Sequence, residues 1–192
     1  MKIGVLALQG AFIEHIKMLR QLNIETVEVR LPKHLDGIDG LIIPGGESTT
    51  IGKLAHDYGL IAPLRDFVKT KPTWGTCAGM IFLANNIGID EQPILGAMDI
   101  QVNRNAFGRQ IDSFETKIQI DGLAGEPFHA VFIRAPIVTQ IDESVTVLSK
   151  LDDGRIVAVK QNHLLATSFH PELTDDLRLH AYFCDIVEET IS

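Results

Sequence analysis

The first half of the chain alternates short, fully apolar runs with amphipathic stretches. Ile3-Gly4-Val5-Leu6-Ala7-Leu8 is a continuous apolar run of strand length, Phe12, Ile16 and Leu19 follow at helical spacing, and Glu25 to Val29 reads as a second strand. Together they predict a βαβ unit. Gly40-Leu41-Ile42-Ile43 predicts a third buried strand that ends in Pro44-Gly45-Gly46, after which Ser48 to Val68 is helical with a break at Tyr58-Gly59. Lys71 to Trp74 forms one more strand, and Ala78 to Asn85 the helix behind it. Strands that are apolar on both faces and alternate with helices predict an α/β fold. Its parallel sheet is covered on both sides and its functional loops lie at the carboxyl ends of the strands.

The rhythm changes after the midpoint. Ile100–Arg104, Ser113–Ile120, Ala130–Arg134, Val145–Leu151, Ile156–Gln161 and Leu164–Phe169 are short strand-like runs joined by Gly, Pro and Asp, with Asp152-Asp153-Gly154 as a hairpin turn. They predict antiparallel additions to the same sheet, so that residues 1–192 form a single domain without a linker. Thr174 to Thr190 predicts a closing helix with a Thr cap, Asp175-Asp176 in its first turn, and Leu177, Ala181, Cys184 and Val187 on its buried stripe.

Composition narrows the class of function. The chain has 192 residues, 45% of them hydrophobic, which suits one sizeable core. A net charge of -8, without a Lys/Arg-rich run, argues against a nucleic acid or an anionic membrane as partner. The two cysteines, Cys77 and Cys184, are far apart, which speaks for a reducing cytoplasm and against a structural disulfide. The apolar start is short and runs into Glu14-His15, so it reads as a strand and neither as a signal peptide nor as a membrane span.

The chemistry is written in three places. Gly75-Thr76-Cys77-Ala78-Gly79, between a strand and a helix, is a nucleophile elbow: glycines on both sides of Cys77 permit a sharp turn and close packing. A thiolate at that position faces the positive end of the helix and its unpaired N–H groups, which favours the reactive form. Ser168-Phe169-His170-Pro171-Glu172 supplies a base and an acid. In an extended segment His170 and Glu172 project to one side, so Glu172 can hold the imidazole. Acyl chemistry also requires an oxyanion hole, for which the N–H of Ala78 and a second N–H from the Pro44–Ser48 loop, that of Gly46, are the candidates. The other six histidines, His15 and His180 among them, fall at positions that predict solvated or structural roles, and no pair has zinc spacing. On these residues alone, a stand-alone thiol hydrolase or peptidase remains open.

The ordered set GGES, GTCAG and SFHPE resembles the class I, triad-type glutamine amidotransferases. Within them, the chain is similar to the glutaminase subunits of pyridoxal 5'-phosphate synthase. The likeness covers essentially the whole chain, Leu8-Gln9-Gly10 included, and the FGRQ segment within Arg104-Asn105-Ala106-Phe107-Gly108-Arg109-Gln110 and the IRAP segment within Phe132-Ile133-Arg134-Ala135-Pro136 carry its narrower part. Two positions depart from the common pattern, Ala106 in place of Ser and Ile137 in place of His. The resemblance implies a flavodoxin-like three-layer α/β/α fold. It implies hydrolysis of L-glutamine to glutamate and ammonia without a cofactor, and delivery of the ammonia to a barrel-shaped synthase subunit in a large hetero-oligomer. Cys77 would be the nucleophile, His170 the acid/base and Glu172 its orienting carboxylate, with Gly46, Glu47, Ser48, Arg104, Ile133 and Arg134 binding glutamine. A glutaminase subunit serving another synthase is the neighbouring alternative.

Overall fold

The computed structural model describes residues 1–88, 92–104 and 113–192. In its first half β1 (Lys2–Leu6), β2 (Glu25–Val29), β3 (Gly40–Ile43) and β4 (Thr73–Thr76) alternate with α1 (Phe12–Gln21), α2 (Ser48–Asp57) and α3 (Ile61–Phe67). The helical break at Tyr58-Gly59 falls where expected, with Gly59 at φ 67° just beyond the end of α2. β1 pairs in parallel with β2 and β3, β3 with β4, and β4 with the late strand β12 (Leu164–Thr167). The order β2-β1-β3-β4-β12 is that of a flavodoxin-like sheet. Every residue of β3 and β4 is buried, which is why these strands read as unbroken apolar or small-residue runs.

Side-chain alternation along β3 divides the core into two layers. Leu41 and Ile43 pack with Ile51 and Ala55 of α2, Leu64 of α3 and Met80 and Phe82 of α4 (Ala78–Leu83). On the other face, Ile42 packs with Trp74, Ile16 and Leu19 of α1, and Leu179, Phe183 and Val187 of α5 (Arg178–Ile191). The result is the three-layer α/β/α arrangement. Among the described residues, no helix is long and apolar enough to cross a membrane.

The second half extends the sheet beyond β12 by antiparallel pairing. β11 (Ile156–Gln161) joins β12, β9 (Ile137–Ile141) and β10 (Thr146–Lys150) join β11, and β6 (Met98–Asn103) joins β9. Asp152-Asp153-Gly154 turns the β10–β11 hairpin, with the Gly154 N–H donating to the Leu151 carbonyl at 2.9 Å.

Four features differ from expectation. α4 stops at Leu83 and Ala84–Asn86 becomes β5, which runs parallel to β6. Asn85 and Asn86 are poor helix residues, and strand pairing with β6 is open to them. β7 (Ser113–Ile118) and β8 (Phe128–Ile133) do not extend the main sheet but form a separate two-stranded ribbon. The ribbon lies face-down: Phe128, Ala130 and Phe132 are buried, Phe114 stacks on Phe132 at 4.6 Å, and Phe132 lies 5.5 Å from Phe169. β9 has no counterpart among the expected strands. Finally, α5 begins at Arg178 and not at Thr174. Thr174 Oγ1 instead accepts from the Asp176 N–H at 3.3 Å in a preceding turn, so it caps no helix.

Candidate active site

β1, β3, β4 and β12 all present their carboxyl ends to one edge of the sheet, and the chemistry-bearing loops meet there. Cys77 follows β4 at φ 48° and ψ −106°, a strained conformation for a residue with a side chain. Its N–H donates to the Thr167 carbonyl at 2.8 Å, and its carbonyl accepts from the Met80 N–H at 3.0 Å, which pins the turn between β12 and α4. The two glycines of the elbow are a packing requirement. A Cβ on Gly79 would fall on the Ile43 carbonyl oxygen, and one on Gly75 on the Gly79 carbonyl. The Cys77 Sγ lies 3.8 Å from the Ile133 carbonyl, so the end of the β7–β8 ribbon reaches the thiol. Arg134, the next residue, is held at φ 44°.

His170 and Glu172 meet as expected but by a different route. Pro171–Leu173 is a single 3-10 turn, not an extended segment, and it brings His170 Nδ1 to 2.7 Å from Glu172 Oε1. Pro171 at the first position of that turn, where no N–H is needed, explains the choice. The His170 N–H donates to the Val131 carbonyl at 2.8 Å, so the ribbon also fixes the histidine. Both side chains are nearly inaccessible. Burial opposes a charge on His170, but the Cys77 sulfur and the Glu172 carboxylate beside it outweigh burial and hold the imidazolium up to about 10. Burial likewise opposes ionisation of Glu172, and His15 and His170 outweigh it, so the carboxyl titrates below its usual range.

The Pro44–Ser48 loop closes the site from β3. A Cβ on Gly45 would strike the His170 ring and come within 3.3 Å of the Cys77 Cβ, so only glycine lets this loop pass. The Gly45 carbonyl accepts from the Ala11 N–H at 3.1 Å, and the peptide is trans, so the Gly46 N–H points the opposite way. Ala78 is buried as the first residue of α4. Gln9 Oε1 accepts the Glu47 N–H at 2.8 Å, tying the loop to the segment that follows β1.

Glu47 caps α2 by accepting from the Thr49 and Thr50 N–H groups, at 3.0 and 2.7 Å, and from the Thr50 hydroxyl, which holds its carboxyl down to about 2. Arg104 Nη2 donates to Thr49 Oγ1 at 3.3 Å and lies 3.9 Å from Glu47 Oε1, so Arg104 stands at the same loop. The Ser48 hydroxyl is buried against Gln92 Oε1 at 3.4 Å. Asn105, Ala106 and the Phe107–Gln110 motif lie outside the described residues.

A model of the SNO glutamine amidotransferase family matches residues 5–189. The chain belongs to that family. It is 57% identical, over 95% of its length and 98% of the relative's, to a protein of Herpetosiphon aurantiacus named pyridoxal 5'-phosphate synthase subunit PdxT. It is 55% identical, over 97% and 98%, to the protein of the same name from Carboxydothermus hydrogenoformans. A solved structure described as a glutamine amidotransferase superimposes with a TM-score of 0.91 at 52% identity, covering 97% of this chain and 98% of that one.

Within this glutamine amidotransferase, two buried histidines were not foreseen. His15 and His180 are fully inaccessible, where the sequence predicted polar or loop positions. The readable signal was spacing. His15 follows Phe12 by three residues and precedes Leu19 by four, and His180 precedes Phe183, Cys184 and Val187 by three, four and seven, so both lie on buried stripes. The particular contacts of Gln9, which accepts the Glu47 N–H, and of Gly45, which makes room for the His170 ring, were also not foreseen, since a contact across the strand-end loops leaves no local pattern.

Burial holds both histidines below their ordinary pKa of 6.5, His180 well below it. An unfolded chain takes up these protons near 6.5 whereas the folded one does so only at lower pH. Stability therefore falls on acidification below that value, by up to about 1.4 kcal/mol per pH unit per histidine. Calorimetric melts of the wild type lose Tm steadily between about pH 7 and 5, and His180→Phe flattens that slope. An unchanged slope contradicts the buried neutral state.

Proposed function

We propose that this chain is the glutaminase subunit of a pyridoxal 5'-phosphate synthase. It hydrolyses L-glutamine to L-glutamate and ammonia and passes the ammonia to the synthase subunit. The observation that carries the chemistry is the strained elbow of Cys77 set against the His170–Glu172 pair. The full-length likeness to proteins named PdxT supports the partner. The finer picture, a barrel-shaped synthase within a large hetero-oligomer in the cytoplasm, follows the resemblance in sequence.

In the mechanism, the Cys77 thiolate attacks the carboxamide carbon of glutamine and the carbonyl becomes an oxyanion. The N–H groups of Ala78 and Gly46 receive that charge. The tetrahedral adduct collapses with cleavage of its C–N bond, and the His170 imidazolium gives its proton to the departing ammonia. The neutral imidazole then takes a proton from water, whose oxygen attacks the thioester. Cleavage of the C–S bond releases glutamate and restores the thiolate–imidazolium pair. Glu172, bonded to Nδ1, leaves Nε2 for the thiol throughout.

Substrate binding falls to the loop beside the elbow. The α-carboxylate of glutamine suits Arg104 and Arg134, and its ammonium suits Glu47 and the loop carbonyls, with Ser48 and Ile133 lining the cleft. Arg104→Ala raises KM for glutamine about tenfold with little change in kcat, the signature of lost uniform binding. The proposal is tested by ammonia release from L-glutamine, measured with the chain alone and mixed with a pyridoxal 5'-phosphate synthase subunit. The expected result is strong stimulation by the synthase. Hydrolysis indifferent to it removes the partner, and no hydrolysis in the mixture removes the activity.

A further inference from the structure

Behind Glu172 a line of polar side chains continues into the interior, across the layer between β4, α1 and α5. Glu172 Oε2 is buried, has no hydrogen-bond partner among the described residues, and lies 3.4 Å from His15 Nε2. That nitrogen is also 3.3 Å from Thr76 Oγ1, the residue before the nucleophile. On the far side, His15 Nδ1 lies 2.9 Å from His180 Nε2, and His180 Nδ1 is buried without a partner. Trp74 closes the cluster with its ring edges, 5.7 Å from His15 and 4.9 Å from His180. Nothing in the hydrolysis as derived above uses either histidine, although the line ends on the carboxylate that orients its base.

Charge and tautomer decide what the line does. A neutral imidazole carries one N–H, so between His15 and His180 only one ring can donate. If His15 donated through Nδ1, its Nε2 lone pair would face the Glu172 carboxylate at close range in a dry interior. If His180 donates through Nε2, His15 keeps its proton on Nε2 and presents an N–H dipole to Glu172 Oε2 and Thr76. The second state sets a donor against the carboxylate, across the 3.4 Å that leaves Glu172 Oε2 without a hydrogen bond in the free chain, and His180 Nδ1 stays unmet. A buried carboxylate oxygen with no donor is costly, and such bonds are often long in the free enzyme and tighten in the substrate complex.

We propose that His15 is a positioning residue for the hydrolysis, holding the second oxygen of Glu172 through its Nε2–H, and that His180 fixes the tautomer that makes this possible. The triad thereby gains an anchor in the core: Cys77, His170, Glu172, His15 and His180 form one chain from the cleft to α5. The titratable groups facing His15 are Glu172 and His170 from the turn after β12, His180 from α5 and Glu14 from its own helix. β4 contributes the neutral Thr76 and Trp74. Burial keeps His15 below 6.5, consistent with its acting as a dipole and not as a cation at neutral pH.

The assignment rests on the glutaminase reading for its effect on turnover but not for its geometry, and the test separates the two. Nitrogen NMR of the full chain with labelled histidines reports tautomers directly. The expected spectrum has His15 and His180 neutral at pH 7, each protonated on Nε2. His15→Phe keeps the ring against Trp74 and removes the N–H. With fold verified by circular dichroism, it shifts the His170 titration midpoint by about one pH unit or more. With the synthase subunit present, kcat falls about tenfold or more while KM for glutamine is held. His15→Gln, whose amide can donate, recovers part of both effects. An Nδ1-protonated His15, or a folded His15→Phe chain with wild-type titration and kcat, overturns the proposal. Should His15→Phe fail to fold, the wild-type tautomers alone decide. Absence of ammonia release from the wild type would count against the glutaminase reading, while the NMR result would still decide the role of His15.

Discussion

Cys77→Ala brings ammonia release from glutamine down by on the order of 10⁵-fold, to the floor of the assay, with the fold intact. In the proposed mechanism the thiolate sulfur is the atom that bonds to the carboxamide carbon, and the sequence offers no replacement. The second cysteine, Cys184, lies on α5 among Phe183, Ile186 and Val187, and burial pushes its thiol up to about 12. Alanine suits position 77 structurally because the strained backbone at φ 48° is already imposed by the bonds to Thr167 and Met80. Circular dichroism and gel filtration of the variant match the wild type, and Cys184→Ala keeps its activity. If Cys77→Ala retained more than about one per cent of turnover with the synthase present, the nucleophile would have to be sought elsewhere.

Gly79→Ala damages both stability and activity, for one reason. By helix propensity alone the change inside α4 is favourable by about 1 kcal/mol. Against this, the new Cβ falls on the Ile43 carbonyl oxygen, a backbone atom of a fully buried central strand that cannot turn aside like a side chain. Relief requires α4 to move off β3, at a cost of about 3 kcal/mol or more, so the clash outweighs the propensity. The melting temperature falls by on the order of 10 °C in calorimetry. Because α4 starts immediately after Cys77, the same displacement misplaces the thiol relative to His170, and turnover falls beyond what partial unfolding explains. A variant with wild-type Tm would show that the close approach of α4 to β3 is not needed.

How far the sequence could be read depended on how local each feature is. The β1–α1–β2 and β3–α2 units were legible because apolar runs and 3.6-residue spacing are decided within a dozen residues. The elbow was legible for the same reason, with both glycines two residues from Cys77. The meeting of His170 and Glu172 was foreseen, though through an extended segment where a 3-10 turn is found, since two residues joined by Pro171 meet in either geometry. Features that depend on tertiary packing were read less well. The β7–β8 ribbon has ordinary strand patterning, and only its contact with Phe169 sets it apart from the main sheet. β5 interrupts an apparent helix because β6, more than ten residues later, is there to pair with it. His15 and His180 read as solvated or structural because histidine is ambivalent and the groups they meet, Glu172 for His15 and His15 for His180, lie far away in sequence. Likewise, Gly45 gave no sign that its missing side chain makes room for the His170 ring.

In the proposed mechanism glutamine is cleaved through a covalent bond to Cys77. That step is tested most directly by mixing the chain with a pyridoxal 5'-phosphate synthase subunit and L-glutamine, quenching in acid within the first turnovers, and mapping the modified peptide by mass spectrometry. The expected product is a γ-glutamyl thioester on the peptide containing Cys77, absent from Cys77→Ala and accumulating when deacylation is slowed by lower pH. Ammonia release at full rate with Cys77 never acylated, or acylation confined to another residue, would contradict it.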